Sequence, residues 1–443
     1  MRLLSFLIPL TALISFGHLY GPEVLSIYLV VYTFFQFYLR RRRINNSLGN
    51  GIWLIVFSLG IVVVSLNYWT YGHTFGPYRD DSMYYYNIQS LALGNNPYKF
   101  PTLYEITMAP LYFLLNSIFL SVSHISLLLI NWLFAVLIVL ESVELVKLLT
   151  GLNLGSKLII YFPLLFNSIF LDSVLNLYRD GMLIYLMLLG FRYGYIRSYK
   201  KTFVAIILVF LLRPASAVIM LLVLFALSMM HKSTTSLLLR GLVVGSVVLF
   251  IVAFLDSTLG LGGYMRSVAG GVGNISISEL YQSRTEVILN VDEGSGSETI
   301  RKSGLFGQLL SLIPTIFAPL QIQSFTDTIV VDIFGVSNFQ YSGITTRSFL
   351  SILGVLNTIV TAPLVALGVL IKIRKNKEIS IVLAYILIVI FVAFISFQAR
   401  HRLMFMIFHP YFAFYGLKNT STDIKWTLAI YIVTLMAVLT LHI

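Results

Sequence analysis

Long apolar stretches separated by short polar turns run along almost the whole chain. They lie near 3–20, 22–39, 51–69, 108–122, 126–148, 157–172, 181–196, 202–228, 237–256, 346–371, 378–397, 403–417 and 425–442. A helix rises ~1.5 Å per residue and the hydrocarbon core of a bilayer is ~30 Å thick, so ~20 apolar residues cross it. The pattern predicts an all-α, polytopic integral membrane protein, one transmembrane domain over 1–443 with about 13 transmembrane helices. Several stretches are short for a crossing, so one or two are expected to re-enter or to lean on neighbours. The first stretch, with its early Arg2, resembles a signal peptide. It lacks a small-x-small cleavage site and further spans follow it, so it reads as a retained first helix.

Two long polar segments interrupt the pattern, about 70–107 and about 257–345. Lys and Arg gather in short cytoplasmic loops and so set orientation. Arg40-Arg41-Arg42-Arg43 is the strongest such marker, and Lys372-Ile373-Arg374-Lys375-Asn376-Lys377 is the second. Simple alternation of spans puts both on one side, together with Lys232, Arg240, Lys418 and Lys425. The N-terminus is then cytoplasmic and both long segments are extracytoplasmic. A weakly hydrophobic piece of the second segment, 305–320, is broken by Pro314 and Pro319 and reads as a surface or re-entrant helix. Arg197, Lys200 and Lys201 land outside in this count. Either the parity is wrong between 106 and 230, or these cations face an anionic ligand.

Composition narrows the class. Of 443 residues, 58% are hydrophobic and 11% charged, against about a quarter charged in a soluble domain. That much apolar surface needs lipid as solvent, which excludes a soluble enzyme. A net charge of +12 would suggest nucleic acid in a soluble protein. No basic stripe with interleaved aromatics accompanies it. The excess reads instead as loop Lys and Arg, with attraction to anionic lipids or substrates, and no nucleic-acid partner is expected. Cysteine is absent, so disulfides, Cys-type zinc sites and thiolate nucleophiles are excluded. The seven His are scattered without metal-ligand spacing, and neither a metal nor a cofactor is expected. No internal repeat and no appended soluble domain are visible.

Residues able to carry chemistry gather in a few places. In the first polar segment, Arg79-Asp80-Asp81-Ser82-Met83-Tyr84-Tyr85-Tyr86 sets adjacent carboxylates among aromatics, and the turn Gly94-Asn95-Asn96-Pro97 follows. Asp80 and Asp81 suit a general base or a ligand site, and their mutual repulsion makes one hold its proton more tightly. Tyr84 and Tyr85 suit stacking on sugar rings. The plainer reading is a solvated acidic loop with interfacial tyrosines. Arg179 and Asp180 open an apolar stretch, as structural or as binding residues. Arg213 lies inside a long apolar run before Pro214, where a cation is expensive and the proline frees backbone groups. It is either functional or paired with Asp180, Asp172 or Glu141. Arg400-His401-Arg402 precedes His409-Pro410 on the expected outer side, and Arg suits bidentate phosphate binding, lipid headgroups being the alternative. The second polar segment mixes charges, Arg284 and Glu286 among them, with Gly294-Ser295-Gly296-Ser297, and reads as a mobile loop or lid.

Together these clusters resemble bacterial polysaccharide-assembly membrane proteins: O-antigen and capsule polymerases of Wzy type and their relatives in the GT-C glycosyltransferase superfamily. The resemblance rests on Asp80/Asp81 before Tyr84/Tyr85, on the Gly94 to Tyr98 turn and on Pro110-Leu111-Tyr112. It rests also on Arg179-Asp180, Leu212-Arg213-Pro214 and Arg400-His401-Arg402 ahead of Pro410. It covers most of the chain, with two departures: the acidic segment follows the third span, where GT-C transferases usually place it after the first, and it carries no acidic-loop metal signature.

The resemblance implies a GT-C-like fold in a bacterial inner (cytoplasmic) membrane. The implied activity is repeat-unit polymerisation, moving a glycan from a polyprenyl-pyrophosphate carrier to a lipid-linked acceptor glycan on the outer face. It implies Asp80 or Asp81 as base, Arg400, His401 and Arg402 over the pyrophosphate, Arg213 and Arg284 in support, and Tyr84 and Tyr85 against sugar. Membrane lipids and a chain-length regulator protein are the further partners it implies. Two other readings stay open. One is a GT-C transferase adding a single sugar from a polyprenyl phosphate. The other is a transporter or flippase for lipid-linked oligosaccharide, against which the missing repeat argues.

Overall fold

A computed structural model describes residues 1–15, 17, 21–76, 79–97, 101–151, 161–213, 216, 217, 219–221, 223, 224, 327–333, 336–343, 345–375, 381, 382, 384–386, 388, 389 and 403–419, of which 79, 80, both strands, 347, 374, 375 and 419 by backbone alone. In chain order the helices are α1 (Arg2–Ser15), α2 (Glu23–Arg42), α3 (Asn46–Tyr71), α4 (Arg79–Ala92), α5 (Leu103–Phe119), α6 (His124–Thr150), α7 (Phe162–Leu165), α8 (Ser168–Leu175), α9 (Asp180–Tyr195) and α10 (Tyr199–Leu212). A hairpin of β1 (Asp327–Ile333) and β2 (Val336–Gly343) follows, then α11 (Thr346–Lys375), α12 (Leu403–Met406) and α13 (His409–Asn419).

Among the described residues, three helices are long and apolar enough to cross a membrane: Asn46–Tyr71, His124–Thr150 and Ser348–Ile373. α8 and α9 pass the same test as a pair, bent by 112° at their junction. The protein is therefore an α-helical membrane protein, as its apolar pattern predicts, because a continuous helix satisfies its own backbone in lipid. The expected stretches 237–256 and 425–442 and most of 378–397 lie outside the described residues, as do 305–320 and Gly294 to Ser297. The departure from an all-α chain is the hairpin. Its strands pair antiparallel, Asp327 opposite Gly343, at the end of the segment expected to be a loop. Alternating β-branched residues in Asp327–Ile333 carry that strand signal in the sequence.

The chain divides into two compact units. The first comprises Met1–Tyr161, Leu165–Tyr185 and Ile322–Gly354. α6 is its central post, packed by α2, α3 and α8. It is apolar all round, which suits a helix buried on every side. Aromatic stacking fills the space beside it: Trp53 lies 3.8 Å from Phe57 and 4.6 Å from Phe35, ring centre to ring centre. Phe57 meets Trp132 of α6 edge-on. A buried polar knot ties α1, α2 and α3, where Asn50 Oδ1 accepts from Ser5 at 3.0 Å and from Gln36 at 2.7 Å. Inside a membrane such groups must find each other, because neither water nor lipid satisfies them.

Local signals explain the helix ends. Asn45 caps α3 by accepting from the Ser47 amide, and Gly72 ends it in the left-handed region at φ 73°. Thr102 and Glu105 form a capping box at the start of α5. Gly94, at φ 74°, makes the expected turn after α4.

The second unit comprises Phe162–Leu164, Leu186–Gln321 and Val355–Ile443. There α11 and α13 cross backbone to backbone. A Cβ on Gly368 would lie 2.0 Å from the Phe412 carbonyl oxygen, and one on Gly416 equally close to that of Leu364. Lys372, from the expected cytoplasmic marker, is only 4% exposed, and its ammonium sits 3.4 Å from the Tyr415 ring centre.

Candidate functional site

The first polar segment does not remain a solvated loop. It folds onto the bundle of the first unit as α4, with the connection 72–76 before it. α4 packs on α5, and one of its first-turn carboxylates turns inward. Asp81 is fully buried and both of its carboxylate oxygens are engaged. Its Oδ2 accepts from the Gly76 amide at 2.6 Å, and its Oδ1 accepts from the Leu177 amide at 2.8 Å and from His124 Nε2 at 2.9 Å. On its other side the His124 ring presents Nδ1 to the Thr74 hydroxyl at 3.4 Å. Charge-assisted bonds of this kind contribute roughly 1.5–3 kcal/mol each.

Glycine at position 76 is a requirement of the same contact. A Cβ there would stand 2.8 Å from Asn176 Oδ1 and 3.4 Å from Asp81 Oδ2. Aromatic rings close the top. Phe75 lies 4.4 Å from the His124 ring, and the Tyr85 ring meets His124 edge-on while its hydroxyl donates to the Val122 carbonyl. Burial pushes the Tyr85 phenol far above its ordinary range. On the exposed His73, contact with apolar neighbours lowers the imidazole below its ordinary value of 6.5.

Asp81 thereby grips the break between α8 and α9. That break, Asn176 to Arg179, exposes backbone groups inside the bundle, and α6 satisfies them. Asn131 Nδ2 donates to the carbonyls of Asn176 at 2.7 Å and Tyr178 at 3.1 Å, and Trp132 donates to that of Leu175 at 3.1 Å. Tyr104 holds Asn131 from the other side at 2.9 Å. Tyr84 meets both Tyr104 and Tyr178 edge-on, so it serves the packing between α4, α5 and the break. Glu105 is spent on the amide and hydroxyl of Thr102 and on Asn87.

The structure thus brings together Asp81, Tyr84, Tyr85, Arg179 and Asp180, which the sequence places in two distant clusters. Asp80 is the second residue of α4, described by its backbone only. Arg213 caps the C-terminus of α10 in the second unit and is buried there. Arg284, Arg400, His401 and Arg402 lie outside the described residues. Glu141, weighed as a partner for Arg213, pairs with Arg42 at 2.6 Å and accepts from Tyr38. Sequence reasoning missed His124, Asn131 and Gly76. Two of them had a visible signal, a histidine opening an apolar run and an amide inside it, which in a membrane mark polar contacts. Compared with known proteins, the chain matches no family model, no curated protein and no solved structure.

Proposed function

We propose that this protein is a membrane glycosyltransferase of the oligosaccharide repeat-unit polymerase kind, in a bacterial inner membrane with its N-terminus in the cytoplasm. The observation that carries the reading is the acidic, tyrosine-rich segment around Asp81, folded onto the break of a membrane helix that ends in Arg179. A carboxylate next to aromatics and a cation is the set that glycosyl transfer from a phosphate-linked donor requires. A sugar hydroxyl attacks the anomeric carbon, its proton goes to a base, and the polyprenyl pyrophosphate leaves with the bonding electrons.

Because both oxygens of Asp81 are engaged, Asp81 positions the segment and Asp80 is nominated as the base. Arg400 and Arg402 are nominated to neutralise the leaving group, with His401, Arg213 and Arg284 in support and Tyr84 and Tyr85 on the sugar side. A chain-length regulator protein would act as partner. The alternative that adds one sugar from a polyprenyl phosphate uses the same residues.

The broken helix favours a second reading, a transporter of lipid-linked oligosaccharide, since transporters build binding sites at such breaks. The test is glycan profiling of a strain lacking the protein, with Asp80→Asn and Arg400→Ala strains beside it. Loss of the repeat-unit ladder, with single units accumulating on carrier at the outer face, supports the polymerase. Accumulation at the inner face supports transport. An intact ladder with each unit one sugar short supports the single-sugar transferase.

A further inference from the structure

Around the α8–α9 break the backbone groups are matched: the carbonyls of Leu175, Asn176 and Tyr178 by α6, the Leu177 amide by Asp81, and the Arg179 carbonyl by the Leu183 amide. The Arg179 side chain is not matched in this way. It is 9% exposed, and its Nε is buried with no hydrogen-bond partner among the described residues. Among the described residues, no carboxylate pairs with the Arg179 guanidinium.

A buried, unpaired cation is among the most expensive things a fold can hold, and removing it from an empty site stabilises the protein. Its retention calls for an anion that arrives from outside. Arg179 also stands directly before the first turn of α9, whose free amides carry partial positive charge. The guanidinium fork matches two oxygens of a phosphate in its plane, with a specificity that a lysine lacks.

We propose that Arg179 is an oxyanion site that binds the phosphate of a phosphate ester at the break between α8 and α9. The phosphate belongs either to a lipid-linked substrate or product, or to free phosphate or diphosphate from solution. The identity of the lipid rests on the proposed function; the anion site does not.

The experiment measures thermal unfolding of the full-length protein in detergent with sodium pyrophosphate and, separately, undecaprenyl phosphate. Wild type, Arg179→Met and Arg179→Lys are compared. Without ligand, Arg179→Met is expected to melt at or above the wild-type temperature, because an unpaired charge has been removed. With ligand, wild type gains several degrees, Arg179→Met loses affinity by about tenfold or more, and Arg179→Lys falls between. A response to pyrophosphate alone identifies the free diphosphate as sufficient; a response only to undecaprenyl phosphate identifies the lipid-linked form.

No wild-type response to either probe, a lower ligand-free melting temperature in Arg179→Met, or an undiminished response in that variant overturns the site. If Arg179→Met fails to fold, an undiminished response in Arg179→Lys does so. A lost ladder in the deletion strain without an anion response removes this site and leaves the polymerase. An anion response with an intact, full-length ladder removes the polymerase and leaves the site.

Discussion

α6 holds a buried acid at each end, by different means. At its start His124 meets Asp81, whose other partners are the amides of Gly76 and Leu177. Roughly 25 Å further along the helix, Glu141 meets the Arg42 guanidinium and the Tyr38 hydroxyl. The first acid is closed in by main-chain amides from a loop and from a helix break. The second is held by a long cation whose side chain keeps 22% of its surface open. Ion pairs with such an outlet contribute less, because either partner can turn to water when the other is lost. One end of α6 therefore fixes the shape of the candidate site, and the other ties down the end of α2.

The largest effect is expected at Asp81. Asp81→Asn puts an amide donor among donors and leaves a buried N–H without an acceptor. The loss is about 3 kcal/mol of stability, read as a lowered melting temperature, together with loss of the glycan ladder. Glu141→Gln keeps an acceptor for Tyr38 and lets Arg42 swing outward, so about 1 kcal/mol is expected and the ladder should persist. A Glu141 variant as damaging as the Asp81 variant would remove the distinction between the two ends.

The distinction sharpens in double variants. Asp81→Asn combined with Glu141→Gln should be additive within about 0.5 kcal/mol, since the sites share no partner. Asp81→Asn combined with His124→Asn should fall short of additivity by about 1 kcal/mol or more, because each single change already breaks the same bond. Additivity in the second pair would mean that His124 and Asp81 act separately.

The long apolar periods of α3, α6 and α11 were legible in the sequence, because an unbroken helix is what lipid permits. So was the Gly94 turn, which needs a residue tolerant of positive φ. The site was legible only in pieces. Asp81 and Tyr84 were visible as an acidic, aromatic cluster, but nothing local says that Asp81 turns inward to the amide of Leu177, 96 positions away. That contact depends on α6 carrying Asn131 and Trp132 to the α8–α9 break, a tertiary fact. The same holds for the break. Asn176 to Arg179 looks like the start of one span, and only packing against α6 makes it a junction where α8 and α9 bend by 112°.

The smallest effect concerns His73, which lies just outside the α3 crossing and two residues before the aromatic lid of His124. Its ring stacks on Tyr71 and meets Phe75 edge-on. This partial loss of water, with the nearby His124 adding to it, lowers the imidazole below 6.5. The folded chain therefore binds fewer protons at this position than the unfolded chain does, in the window running down from 6.5. Stability attributable to His73 is intact above that window and declines as the pH falls through it. His73→Gln should flatten the decline in melting temperature between pH about 7.5 and about 5.5. The change is modest because the residue is largely open to solvent, and it bears on the Asp81 end of α6 alone. The slope in a Glu141→Gln background should match wild type, whereas an altered slope there would show that the two ends of the helix are coupled.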